Sequence, residues 1–496
     1  MGELLRLLEQ TAPLDKIALA EGNETVTYGQ LAERIGIVRS RLPAGGKELE
    51  PVGLVMNQSV DSVIVLLSCL DGGAPVLPVD DLQTASDLAR IGSAGRVACW
   101  IAPEDRAQAG ANTAETATVV PYSRLLAPGK TAADELNGKR KPGGHGQKAG
   151  GGNGGPGRKE EPGEAPVSLY LLSSGSTGLP KMACLPMQTL LREGRKYRDW
   201  FGYRPDDSLV ATVPLHHLYG LTGALFGSLT AGATLHICRH PTPRKAANLL
   251  RACQGTVLLG VPSFYHLLCM SRHIGQGHAG RLRFAISAGG ALAPDTAAAF
   301  EGKFGKRVLQ LYGSTETGAV AAEHPHRRHR KGSCGYLLPG VEARMEADGR
   351  LAVRSASLFG GYVAGSGKEC PVQEGWFVTD DLATIEEQEL TVIGRVPRHI
   401  NVAGRKVNPM EIEALLKHMP RIREAKVAGR PDELQGEIIV AWLTADDGVS
   451  VKAVRDYLKT QLAAYKIPHE IHLDGALPSW KERYVCEDEQ EGAGQE

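Results

Sequence analysis

Residues 169–182, LYLLSSGSTGLPKM, set Ser173, Ser174, Gly175, Ser176, Thr177 and Gly178 between an apolar run and the pair Pro180–Lys181. Two glycines let a loop turn tightly and bring backbone N–H groups close to a ligand. The hydroxyls add donors and Lys181 adds positive charge. Placed after a strand, such a loop suits phosphate oxygens. The spacing GxxxxGK[ST] is absent, so this is not a Walker A loop. Gly, Ser and Thr also make ordinary polar surface turns, and the loop alone leaves both readings open.

The elements that must position this loop read as alternating strands and helices. VTYGQLAERIGIVRSRL places Leu31, Ile35, Val38 and Leu42 on one helical face, and Thr27 with Gln30 suits a capping box. Apolar runs at 52–56, 97–102, 209–215, 256–261, 282–288 and 308–313 read as buried strands. The alternation predicts an α/β fold, with mainly parallel sheets covered by helices. Ligands in such folds gather at the carboxyl ends of the strands.

A chain of 496 residues is too long for one ordinary core. After ELTVIGR the elements become smaller. Asn408 then Pro409 suits a helix start, followed by MEIEALLKHM, two strand runs and the helical VKAVRDYLKTQL. The division expected is a large N-terminal domain over 1–396 and a small, mobile α+β domain over 397–496. Residues 138–165 are dominated by Gly, Pro and charge; they bury too little apolar surface to order and read as a disordered insert.

Lys plus Arg and Asp plus Glu both number 56, so no overall field favours nucleic acid. Nine cysteines, without CxxC or metal-ligand spacing, read as reduced thiols of a cytoplasmic protein. MGELLRLLEQ lacks the features of a signal peptide, and no apolar run approaches the ~20 residues of a membrane span.

In order along the chain stand SSGSTGLPK, VPLHHLYGL, SAGGAL, QLYGSTETG, GWFVTDDLA and GRVPRHINVAGRKVNPMEIE. Together they resemble the acyl-adenylate-forming superfamily of acyl- and aryl-CoA ligases, luciferases and nonribosomal-peptide adenylation domains. The resemblance covers nearly the whole chain outside the insert. It implies two steps: a carboxylate attacks the α-phosphate of ATP to give an acyl-adenylate, and a thiol then takes the acyl group. The implied cofactors are ATP and Mg²⁺, with CoA or a carrier protein as acceptor.

The resemblance also implies roles. Ser174, Gly175, Ser176, Thr177, Gly178 and Lys181 clasp the outgoing pyrophosphate. Tyr312 lies against adenine, which Gly289, Gly290 and Ala291 line, with Gly313 and Ser314 beside it. Thr315 contacts the α-phosphate; Glu316 and Thr177 attend the Mg²⁺. Asp381 accepts the ribose hydroxyls and Arg395 meets the ribose. His217 faces the reacting carboxylate, and with Gly289 and Gly313 it lines the acyl pocket. VPLHHLYGL holds no acid to pair with an α-ammonium, which points to a fatty or aryl acid. The basic run at 324–331 suits CoA phosphates, a carrier protein or a solvated loop.

Three departures from the family pattern stand out. Asp380 replaces a glycine, where little damage is expected. Pro397 stands at the expected hinge, where a φ fixed at about −65° would bias domain rotation. The tail GALPSWKERYV lacks the usual Gly-Lys, leaving Lys481 as the candidate catalytic lysine and a noncatalytic nucleotide-binding relative as an alternative.

Overall fold

The computed structural model describes residues 2–42, 50–97, 99–110, 118–127, 167–173, 181–364, 367–395, 400–402, 405–432, 436–446 and 448–473. The insert at 138–165, the loop residues Ser174, Gly175, Ser176, Thr177 and Gly178, Pro397 and Lys481 lie outside the described residues.

Two sheets dominate the larger part of the chain. In the 8-stranded sheet, Val52–Met56 lies between Val76–Asp80 and Cys99–Ala102, all parallel. Val167–Ser173 joins beyond Val76–Asp80, and Lys181–Pro186 returns antiparallel with Ser173 opposite Lys181. Ser173 and Lys181, which flank the loop expected to hold phosphate, thus lie opposite each other on paired strands. In the 13-stranded sheet, Ser208–Ala211, Val257–Gly260, Phe284–Ser287 and Val308–Ser314 form a parallel centre. Antiparallel strands extend it from Gly318–Ala322 to Phe377–Glu386 and Glu389–Arg395.

The α/β reading therefore holds, with an antiparallel wing added to the parallel strands. The wing's residues are less uniformly apolar because its sheet is not covered on both faces. Val341–Met345, for example, alternates buried or half-buried residues with the exposed Glu342 and Arg344.

Local chemistry explains the helices. The Thr27 hydroxyl accepts from the Gln30 N–H, and the Gln30 side chain accepts from the Thr27 N–H, opening Tyr28–Arg41 with the expected capping box. Helix Val60–Gly72 is buried on every side, with Val63, Ile64, Val65, Leu66 and Leu67 all in the main core. A helix apolar all round must be covered all round, and this one packs inside the same core as both sheets.

The chain from Ile400 to Ile471 builds its own core, with Ile412 and Leu416 of helix Pro409–His418 and Val454 and Leu458 of helix Val451–Gln461. They cover a 5-stranded sheet whose main pair, Ile422–Asp432 and Gly436–Ala445, is a long antiparallel hairpin. Pro409 begins its helix, as the Asn408–Pro409 pair suggested.

Candidate active site

Strands Val308–Ser314 and Gly318–Ala322 form a hairpin whose turn carries Thr315 and Glu316. The turn is tied by its own hydroxyls. Ser314 Oγ accepts from the N–H of Glu316 at 3.2 Å, and Thr317 Oγ1 accepts from the N–H of Ser314 at 3.1 Å.

Behind the turn stands Glu193, 0% exposed. Its Oε2 accepts from the Ala319 N–H at 2.8 Å, and its Oε1 from Lys196 Nζ at 2.5 Å. Lys196 also donates to the Ala319 carbonyl at 3.1 Å. Both polar groups of one backbone unit are thus held by a buried ion pair. Gly318 makes the approach possible: its φ is +69°, and a Cβ there would lie 2.8 Å from the Glu193 carboxyl carbon.

On the first strand of the same hairpin, Tyr312 donates from its hydroxyl to Asp381 Oδ2 at 2.7 Å. Burial, reinforced by the Asp381 carboxylate, pushes the Tyr312 hydroxyl far above its usual pKa, so it stays a donor. Asp381 and Arg395 pair in register on adjacent strands, and Arg395 Nε comes within 3.4 Å of Asp381 Oδ1. Asp380 belongs to the extended strand Phe377–Glu386, so the missing glycine costs no left-handed backbone here.

Tyr362 links Lys181 to the turn. Its hydroxyl donates to Glu316 Oε1 at 2.6 Å, and Lys181 Nζ stands over its ring, 5.2 Å from the centroid. Lys181 also lies 3.6 Å from Glu369. The Phe359 N–H donates to the Glu316 carbonyl at 2.9 Å, fastening this segment to the turn. Lys181, distant in sequence from Glu316, thereby shares one surface with it.

His216 and His217 lie with ring centroids 4.4 Å apart, the rings tilted by 52°. Gln58 orients the first. Its Oε1 accepts from the Leu215 N–H at 2.8 Å, which leaves its Nε2 to donate to His216 Nδ1 at 2.9 Å. Nδ1 is then the acceptor, and Nε2 carries the proton, 3.7 Å from Asp80 Oδ2. Burial, with His217 adding and Asp80 opposing, pushes the pKa of His216 down to about 4. Burial also lowers that of His217, against Asp80. Both rings are neutral at about pH 7.

His217 faces a cavity of about 190 Å³, which Gly289, Gly313, Ser314 and Thr315 also line. Gly289 sits at φ +82° just beyond strand Phe284–Ser287, and Gly290 and Ala291 follow on exposed chain. The structure thus gathers His217, Gly289, Gly313, Ser314 and Thr315 at one cavity. Glu316, Tyr312, Asp381 and Arg395 stand around the same hairpin.

The family model of AMP-binding enzymes matches residues 8–363, and that of the AMP-binding enzyme C-terminal domain matches residues 411–481. The chain belongs to the AMP-binding enzyme family. This is the acyl-adenylate-forming superfamily that the ordered motifs resemble.

Among similar family members, a probable CoA ligase of Humulus lupulus is 29% identical over 332 residues, covering 63% of this chain and 63% of the relative. The indoleacetate–CoA ligase of Aromatoleum aromaticum is 31% identical over 328 residues, covering 62% and 64%. The matched region thus spans under two thirds of these relatives' length. ATP-bound MatB from Rhodopseudomonas palustris superposes with a TM-score of 0.67 at 25% identity, over 96% of both chains. The anthranilate CoA ligase AuaEII superposes at 0.68 and 19% identity over 96% and 94%, a likeness of fold.

Several residues of this family member's site escaped the motif reading. Glu193 and Lys196 lie on helix Met187–Phe201, whose buried face includes Leu190, Gly194, Tyr197 and Phe201. A glutamate falling on that apolar stripe was the available signal. Gln58 and Tyr362 carried none, because nothing local says which residues they reach. The basic run at 324–331 is partly paired at home: Arg330 pairs with Glu386, and His329 lies 3.2 Å from Glu323.

Proposed function

We propose that this chain is an ATP-dependent acid–thiol ligase that forms an acyl-adenylate and passes the acyl group to coenzyme A. The observation that carries it is the single cavity where Thr315 and a neutral His217 meet, beside the Tyr312–Asp381 pair. Its relatives named as CoA ligases support the choice of acceptor.

In the first step a carboxylate oxygen attacks the α-phosphorus of ATP. The bond to the bridging oxygen breaks, and pyrophosphate leaves. In the second, the thiolate of CoA attacks the acyl carbon and AMP departs with the bonding electrons. Oxide is a poor leaving group and AMP a good one, so the protein's work is positioning and charge stabilisation.

Tyr312 packs against adenine, with Gly289, Gly290 and Ala291 along the base. Asp381, oriented by the Tyr312 hydroxyl, accepts the ribose hydroxyls, and Arg395 supports it. Thr315 donates to the α-phosphate. A neutral His217 donates to the substrate carboxylate without trapping it as a buried ion pair. Lys181, with the Ser174–Gly178 loop, meets the departing pyrophosphate, and Lys481 is the candidate lysine for the reacting oxygens. Glu316 keeps one carboxylate oxygen beyond its bond to Tyr362, which fits Mg²⁺ held by one or two carboxylates and substrate phosphates. Bound there, with Thr177 beside it, the ion would offset phosphate charge.

Residues 1–396 and 397–496 serve as the large and small domains, with the hinge near Pro397. We place the protein in the cytoplasm: the eight described cysteines are free thiols, and no described helix is long and apolar enough to cross a membrane.

Acid-dependent ATP–pyrophosphate exchange tests the first step, and acyl-CoA formation the second. ATP binding without exchange for any acid would move the assignment to a noncatalytic relative. Acylation of a carrier protein with no CoA product would change the acceptor.

A further inference from the structure

The cavity beside the Thr315 turn constrains the acid itself, provided that the chain adenylates an acid as proposed above. Its volume is about 190 Å³. An apolar cavity of ~150 Å³ takes a benzene ring, so this one, which is open on one side, has room for a substituted ring against its closed aromatic wall.

Two of its walls are aromatic and fixed. Tyr197 is 3% exposed. Its ring lies against Gly223, where a Cβ would come within 2.7 Å of Cε1, and its hydroxyl bonds with the Thr222 side chain. The Thr222 hydroxyl is anchored in turn on the Leu218 carbonyl at 2.7 Å. Tyr219 stacks at 6.4 Å from the Tyr197 ring, and its hydroxyl donates to the Ile286 carbonyl at 2.8 Å. Thr222 belongs to a wide π-helical segment, Gly220–Phe226, whose residues are all buried; such segments are frequent at functional sites. A close-packed wall tied at both ring and hydroxyl has no room to swing aside for a long chain.

The lining also lacks charge. No described residue facing the cavity is Lys, Arg, Asp or Glu. A second carboxylate, a sulfonate or an ammonium on the acid would be buried without a partner. Glu193 and Lys196 stand nearby but are committed to each other and to Ala319.

We infer that the acyl pocket takes a monocarboxylic acid with one compact, uncharged tail, of the size of a benzoate ring, and that Tyr197 sets the limit on tail length. The fixed aromatic wall disfavours long-chain fatty acids, and the lack of a cation among the described lining residues disfavours dicarboxylates.

The test is pyrophosphate exchange by the full chain with benzoate, malonate, butyrate, octanoate and palmitate. Benzoate is expected to exceed malonate and palmitate by roughly tenfold or more in kcat/KM. Tyr197→Ala should raise octanoate relative to benzoate by about tenfold, while Tyr197→Phe keeps the wild-type ranking. Should Tyr197→Ala fail to fold, Ala288→Leu reads the same limit by narrowing another wall, and benzoate should then fall before butyrate. Wild-type preference for malonate or palmitate overturns the inference, as does a folded Tyr197→Ala with an unchanged ranking. An absence of exchange with every acid overturns the adenylation reading itself, and the pocket assignment falls with it.

Discussion

The hydroxyl of Tyr312 donates to Oδ2 of Asp381 at 2.7 Å, although the two residues are 69 positions apart in the chain. A side chain proposed to cover adenine therefore also aims the carboxylate proposed to hold the ribose. Tyr312→Phe keeps the ring and removes that aim. Because a hydrogen bond to a charged group contributes ~1.5 kcal/mol or more, KM for ATP should rise roughly tenfold. Exchange kinetics at saturating acid check this, and kcat should change much less than KM.

Tyr362 holds Glu316 by one oxygen while its ring carries the Lys181 ammonium. Residues that orient a metal-associated carboxylate typically cost ~10-fold or more in metal affinity or activity when removed. Tyr362→Phe should raise the Mg²⁺ concentration for half-maximal exchange by about that factor. Glu316→Gln should instead lower kcat at any Mg²⁺ concentration. A magnesium titration of the two variants separates orientation from direct participation.

Glu193 is fully buried against a Lys196 that is only slightly exposed, so losing the lysine leaves a buried charge alone, and losing the glutamate a nearly buried one. Glu193→Ala should cost ~3–5 kcal/mol in urea unfolding. Glu193→Gln keeps an acceptor for the Ala319 N–H and should cost less. The double variant Glu193→Met/Lys196→Met should recover much of the loss, since an apolar pair of similar volume needs no charge partner.

The pKa of His216 is depressed from 6.5 to about 4 in the folded chain. Between those values the unfolded chain binds the extra proton and the folded one does not. Stability therefore rises with pH across this window and falls as pH drops through it. At ~1.4 kcal/mol per pH unit the contribution reaches at most ~3.5 kcal/mol, present in full above pH 6.5 and mostly lost by about pH 4. His216→Gln should flatten this part of the curve by about one proton, measured as unfolding free energy between about pH 4 and pH 7.

Much of the fold could be read along the chain because its causes are local. The run Val52–Met56 is apolar at every position and became a central parallel strand. Thr27 with Gln30 opened a helix through contacts three residues apart. The family was equally legible, since six motifs in order depend on sequence alone. What the sequence left open was which side chains meet. Glu193 with Ala319 and Tyr362 with Glu316 come from separate elements that only packing brings together. The antiparallel wing is of the same kind, because register between distant strands is set by the faces they bury. The size and neutrality of the cavity were likewise decided in three dimensions. They follow from a Gly223 that admits the Tyr197 ring and from a buried ion pair turned toward the backbone, where no sequence period records either arrangement.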